Sequence, residues 1–207
     1  ILGKLAPDPT EANPPQFLKG EGSAAEAVDV MLDAERHAVA HVFQIANDPY
    51  RGKLGLFRIH QGQVTPNSQL FIGDGRKPFK VAHLLRMHGR NAIETTLAVP
   101  GDLCAVARVD ELQRDAVLHD SHDEDYYHLA PATYPQPVFG LALMTRKPAD
   151  EQKLSEALTR LLEEDPCLEV SFDPRNRRTV VRGLGEQHLK IDRKSTRLNS
   201  SHANISY

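Results

Sequence analysis

The chain has 207 residues, 40% of them hydrophobic and 26% charged, with a net charge of −3 at pH 7. That composition suits one or two globular domains, and the charge gives no global signal for a nucleic-acid partner, so a phosphate backbone would have to be met by a local patch. No apolar run reaches membrane length, and the N-terminus lacks the basic-then-apolar layout of a signal peptide. The two cysteines, Cys104 and Cys167, form no CxxC pair, which argues against a zinc knuckle or disulfide framework and for a reducing compartment. The first residue is Ile rather than Met, so the chain reads as a fragment.

Residues 1–27 are rich in Pro and Gly with no sustained periodicity, and are expected to be a linker. From Val39 the pattern becomes that of strands. "AVAHVFQIA" alternates through Val39, His41, Phe43 and Ile45, and "LGLFRIHQGQV" places Leu54, Leu56, Phe57 and Ile59 before a Gln61-Gly62 turn. Two apolar stretches flank Gly73-Asp74-Gly75, a hairpin signal, and "TTLAVPGDLCAVARV" suggests another pair about Pro100-Gly101-Asp102. Short strands with frequent turn signals predict a small antiparallel β-barrel over 28–118.

Residues 119–136, polar and then proline-rich, read as a second linker. An α+β segment follows over 137–192. "PVFGLALM" is a strand, and "ADEQKLSEALTRLLEEDP" a helix with Leu154, Ala157, Leu158, Leu161 and Leu162 on one stripe. Asp150 and Glu151 suit its first turn, and Pro166 stops it. "CLEVSF" alternates Leu168, Val170 and Phe172, "DPRNRR" turns into the strand "TVVRG", and a second helix should start near Gly185. This order is a split βαβ, ferredoxin-like layout expected to lack its last strand.

Three groups of residues invite a chemical reading. "GLGEQHLKI" matches neither GxGxxG nor GxxxxGK[ST], so Gly183, Gly185 and Glu186 read as a strand-to-helix joint with Glu186 in the first helical turn. Glu186 and His188, two apart, point to different sides of a helix and make no acid/base pair. The loop "HDSHDEDYYH" offers His119, His122 and His128 as ligands should it hold a metal, although their spacing fits no closed site. The barrel segment is rich in Arg and Lys, and Arg51, Lys53, Arg58, Arg86, His88 and Arg90 are the candidates for RNA contact. No catalytic residue is expected.

"NDPYRGKLGLFRIHQGQV", "FKVAHLLRMHGRN", "VPGDLCAVARV", "ADEQKLSEALTRLLEEDP" and "VVRGLGEQHLKI", in this order, resemble elongation factor G and its close paralogues. The resemblance spans about Val39 to Ile191, the family's second domain and then its third. "LAPDPTEANPPQFLKG" looks like the stretch leaving the family's GTP-binding domain.

The resemblance implies a cytoplasmic translational GTPase whose barrel touches small-subunit ribosomal RNA. GTP and Mg2+ would belong to a GTPase domain of the parent protein, a partner this chain lacks, and the chain itself would hold no cofactor. Where the housekeeping factor has a short "TGDTL"-like segment, this chain has "RDAVLHDSHDEDYYHLAP", closer to the elongation factor G-like paralogues. A ribosome-protection or release-type GTPase is the alternative within translation, and a metal protein built on the His119–His128 loop the alternative outside it. Residues 193–207, Ser/Asn-rich, break the expected amphipathic pattern, resemble translated sequencing-adaptor read-through, and are expected to be non-native.

Overall fold

The computed structural model describes residues 15–20, 22–48, 50–89, 91–145, 151–175, 178–195 and 203–206. The chain divides into two units, residues 1–131 and 132–207. In chain order the first carries β1 (Phe17–Lys19), β2 (Glu26–Val28), β3 (Val39–Asp48), β4 (Gly52–Gln61), β5 (Gln69–Ile72), β6 (Phe79–Lys80), β7 (Leu84–His88), β8 (Asn91–Glu94), β9 (Leu103–Ala107), β10 (Val117–His119) and β11 (Tyr127–Leu129).

Eight of these strands form one antiparallel sheet in the order β6-β5-β10-β3-β4-β9-β7-β8, curled about a core that includes Val42, Ile45, Phe57, Ile59, Leu70, Leu84 and Leu118. A single bridge between Val64 and Ala98 adds to it, and "TTLAV" makes no strand beyond that bridge, contrary to expectation. Strict alternation also fails in β3. The pairing with β4 shifts register between Val42 and Gln44, so Val42 and Ile45 are buried while Phe43 is half-exposed. A bulge of this kind swaps the faces of a strand part-way along, which no period-2 pattern anticipates.

The long strands also bury residues on their second face. Leu54, Leu85 and Ala105 pack there with Ala46, Leu56, Met87, Ala92 and Ala107 in a separate cluster. Leu56 and Phe57, adjacent in the sequence, therefore serve two different apolar clusters. At the end of β4 the chain turns through Gly62 at φ +71°, where a Cβ would lie 2.4 Å from Ala38 Cα.

Both expected linkers contribute structure to this unit. β1 pairs with β11 on one side and β2 on the other, in a three-stranded antiparallel sheet. Phe17 is buried with Val39 and Val117, its ring edge-on to His60 at 5.1 Å. Composition marks both segments as irregular. The pairing of Phe17 with Leu129, over a hundred residues away, is a tertiary event that local composition does not encode.

The second unit runs β12 (Phe139–Thr145), α1 (Glu151–Glu164), β13 (Glu169–Asp173), β14 (Arg178–Gly183), α2 (Glu186–Ser195) and β15 (Ala203–Ser206). Its sheet order is β13-β14-β12-β15, with every pairing antiparallel. Leu158 and Leu161 of α1 and Leu189 of α2 pack on Leu141, Leu143, Leu168 and Val181.

Three expectations change here. The sheet does not lack a fourth strand, because β15 lies on the free edge of β12. α2 continues to Ser195, past the point where the apolar pattern stops. Edge pairing joins backbone N–H and C=O groups, so a Ser/Asn-rich stretch can fill a sheet edge without supplying apolar side chains. Finally, Leu162 and Phe172, assigned to apolar stripes by period, are 39% and 64% exposed. Asp150 lies outside the described residues.

Candidate nucleic-acid interface

The β3–β4 hairpin places the first two cationic candidates. Asp48 Oδ1 accepts the backbone N–H groups of Tyr50 and Arg51, each at 2.8 Å. These bonds to Arg51 and Tyr50 stabilise the carboxylate and lower the Asp48 pKa. The turn holds Arg51 half-exposed and leaves Tyr50 90% exposed. Gly52 follows at φ +76°. Lys53 Nζ donates to the Asp110 carbonyl at 2.9 Å, which ties it to the loop after β9.

Arg58 and Arg86 stand on the two strands flanking β9 but on opposite faces. Arg58 is paired with His41 on one side and Leu103 on the other, whereas Arg86 is level with Cys104 and Ile93. Arg86 Nη2 donates to Asp102 Oδ2 at 2.9 Å, and the same oxygen accepts the Val99 N–H at 3.1 Å. His88 is exposed at the end of β7, and Arg90 lies outside the described residues. The described candidates thus occupy the hairpin end, the Arg58 face, the Arg86 face and the β7–β8 turn. They do not converge on one patch.

Beside Arg58 lies an imidazole pair that the sequence does not single out. His41 Nδ1 and His60 Nε2 are 2.8 Å apart with their rings stacked, and His60 is buried. One ring must donate and the other accept, so the bond requires a neutral partner. Burial pushes the His60 pKa down to about 4, helped by His41 and then Arg58. Burial likewise lowers His41, with Asp115 opposing and Arg58 assisting.

The histidine loop is built into the fold. His119 is fully buried, with Nδ1 2.7 Å from the Ser121 carbonyl and Nε2 2.7 Å from the Gly73 carbonyl. Its ring stacks on Phe71, so neither nitrogen presents a lone pair to a metal from solvent. His122 Nδ1 faces Asp125 Oδ2 at 3.0 Å, and His128 Nδ1 donates to the Tyr126 carbonyl at 3.2 Å. Among the described residues, no three His, Cys, Asp or Glu side chains come together as an ion site.

The "GLGEQHL" block forms the joint between β14 and α2. A Cβ on buried Gly183 would lie 2.8 Å from Leu189 Cδ2 and 3.0 Å from His188 Nδ1, so a side chain there would have to displace Leu189 and His188. A Cβ on Gly185 would meet nothing within 4 Å, and the steric need for glycine therefore falls on Gly183 alone. Glu186 pairs with Lys190 one turn on. His188 Nδ1 accepts the Leu184 N–H at 3.1 Å, and its Nε2 faces Asp165 Oδ2 at 2.7 Å. The joint is thereby tied to the end of α1.

Among the described helices, none is long and apolar enough to cross a membrane. Residues 37–120 match the family model described as elongation factor G domain 2, and residues 134–200 match that of elongation factor G, domain III. The fold is also similar to a crystal structure of a protein from Thermus thermophilus, with a TM-score of 0.70 and 27% sequence identity. That likeness covers 83% of this chain and 26% of the other, so this chain spans about a quarter of its relative's length.

Proposed function

Because the chain belongs to the elongation factor G family, we propose that it acts in translation as a ribosome-binding and interdomain-coupling module of a cytoplasmic GTPase. The observation that carries this reading is the succession of domain 2 and domain III along one chain. Arg51, Arg58 and His88 would meet small-subunit ribosomal RNA from separate edges of the barrel, contacting backbone phosphates rather than reading bases. Arg86, already paired with Asp102, would contribute less than its exposure suggests.

GTP and Mg2+ would belong to a GTPase domain of the parent protein. No GxxxxGK[ST] spacing occurs in this sequence to supply the amides and lysine that cradle phosphates. Within the family, the buried His119 and the strand β11 make "RDAVLHDSHDEDYYHLAP" part of the fold. The departure of this segment from the short "TGDTL"-like stretch of the housekeeping factor supports a paralogue's role over that of the translocase.

The test is co-sedimentation of the purified chain with small ribosomal subunits at about 50 and about 200 mM salt, beside Arg51→Ala/Arg58→Ala. Binding should weaken steeply with salt, and the double variant should lower the logarithmic salt slope by about 1–2. No binding at the lower salt, or binding indifferent to salt, would overturn the reading. A parallel titration with a fluorescent GTP analogue should show no saturable binding.

A further inference from the structure

Two irregularities in the β3–β4 pairing bring three rings together. Val42 is level with Phe57 and Gln44 with Leu56, which leaves Phe43 without an opposite residue. Val39 is likewise level with Gln61 and Ala40 with Ile59, which leaves His60 as the extra residue of β4. Both rings lie against His41, Phe43 edge-on at 6.2 Å and His60 stacked at 5.0 Å. Bulges re-aim side chains beside sites, and here two of them act on the same imidazole.

Sheet register sets what stands next to His41. Val117, His41, Arg58 and Leu103 are opposite one another across β10, β3, β4 and β9, so they form one row on the face turned away from the main core. Phe17 packs on the Val117 end of that row, and the Leu103 end is open to water at 50% exposure. Arg58 is half-buried, and among the described residues no carboxylate pairs with it. His41 Nδ1 is engaged with His60, while its Nε2 has no partner among the described residues.

We propose that Arg58 and His41 form a proton-linked site for an RNA phosphate, in which the anion sits against the guanidinium and the His41 ring takes one proton from solvent as it binds. With His41 donating through Nδ1 to His60, the proton goes to the lone pair on Nε2 and the bond between the rings survives. His60 stays the neutral acceptor, because burial holds its pKa down to about 4. With no anion bound, burial lowers the His41 pKa, Asp115 raises it and Arg58 lowers it. Arg114, from the same loop as Asp115, donates to the Phe43 carbonyl at 3.0 Å and is a further cation of the neighbourhood. A bound phosphate offsets the Arg58 charge and accepts from the new Nε2–H, so it favours the imidazolium that it then pairs with. Phe43 and Leu103 border the row with apolar surface for the ribose and base of the same nucleotide, which a glutamate carboxylate would leave bare. The inference rests on the translation reading for its choice of RNA over other polyanions.

The test is fluorescence anisotropy of a labelled single-stranded RNA of about 12 nucleotides with the full chain, at about pH 7.5 and about pH 6 and constant low salt. Affinity should rise at least about three-fold toward the lower pH, the most for one linked proton being about ten-fold per pH unit. His41→Phe, which keeps a ring between Phe43 and His60, should remove that rise. Should its melt fall short of the parent's, His41→Gln, which can still donate to His60, should remove the rise as well. Arg58→Gln should weaken binding at both pH values and flatten the rise, and unlabelled poly-glutamate should compete poorly.

Several results would overturn the proposal. They are absence of RNA binding, affinity indifferent to pH in the parent, an unchanged rise in both His41 variants, full binding by Arg58→Gln, or competition by poly-glutamate equal to that of RNA. Proton-linked RNA binding with no ribosomal subunit association would instead sink the ribosome reading and leave this site standing. Subunit association that pH and His41→Phe leave unchanged would do the reverse.

Discussion

At the scale of single residues, the imidazole pair carries the clearest prediction. His60 ordinarily titrates near 6.5 but is held at about 4 in the fold, chiefly by burial. As pH falls below 6.5 the unfolded chain takes up a proton that folded His60 resists, so stability is full above that pH and declines toward 4. The loss is on the order of 3 kcal/mol by linkage. Urea unfolding between these pH values should show the decline, and His60→Phe, which keeps a ring against Phe17, should flatten it. An unchanged pH dependence in His60→Phe would show that other groups are responsible. Nothing in "FRIHQGQ" announces such a pair, because His41 reaches His60 only across the β3–β4 register. Glycine is legible to a different degree at each position. A steric joint is what the spacing predicts at both Gly183 and Gly185, yet only Gly183 is crowded, and the space beside Gly185 is open.

At the scale of elements, helix and strand identities follow from period. α1 is where its leucines repeat at helical spacing, with Leu158 and Leu161 inside. Period cannot say how far the opposing layer extends, and Leu162 and Phe172 are exposed as a result. The β14–α2 joint shows the same division. Spacing excludes an acid/base pair between Glu186 and His188, but the real partner of His188 is Asp165, 23 residues away at the end of α1. His188→Ala would leave the Leu184 N–H and the Asp165 carboxylate without this acceptor and donor. We expect a loss of about 1–3 kcal/mol, measured by chemical denaturation of the second unit's transition. His188→Gln, which can still donate to Asp165, should recover part of it. If His188→Ala unfolds at the parent's denaturant concentration, the joint does not hold α1 to α2.

At the scale of the whole chain, short stretches within the two segments expected to be linkers, Phe17–Lys19 and Tyr127–Leu129 among them, pair as strands of one sheet. Phe17, only 2% exposed, anchors that sheet on Val39 and Val117. Phe17→Ala should therefore destabilise the first unit by about 3–5 kcal/mol, the range for emptying a buried aromatic site. A thermal melt checks this, and a melt equal to the parent's would mean that residues around Phe17 are dispensable ornament on the barrel. The candidate interface follows the same logic. Composition finds the cations of the barrel, but sheet register places Arg58 and Arg86 on opposite faces and pairs Arg86 with Asp102.

By itself the sequence determined the identity of most strands, both helices, the order of an antiparallel barrel before a split βαβ domain, and five blocks that point to one family. These are properties of neighbours along the chain, where periodicity, turn residues and caps act within a few positions. Only the tertiary structure decided which edge strand completes each sheet, where the bulge in β3 exchanges faces, which cations are neutralised, and that Phe172 stays in water. Each of these depends on backbone groups or charges brought together from distant positions, and no local pattern records that meeting.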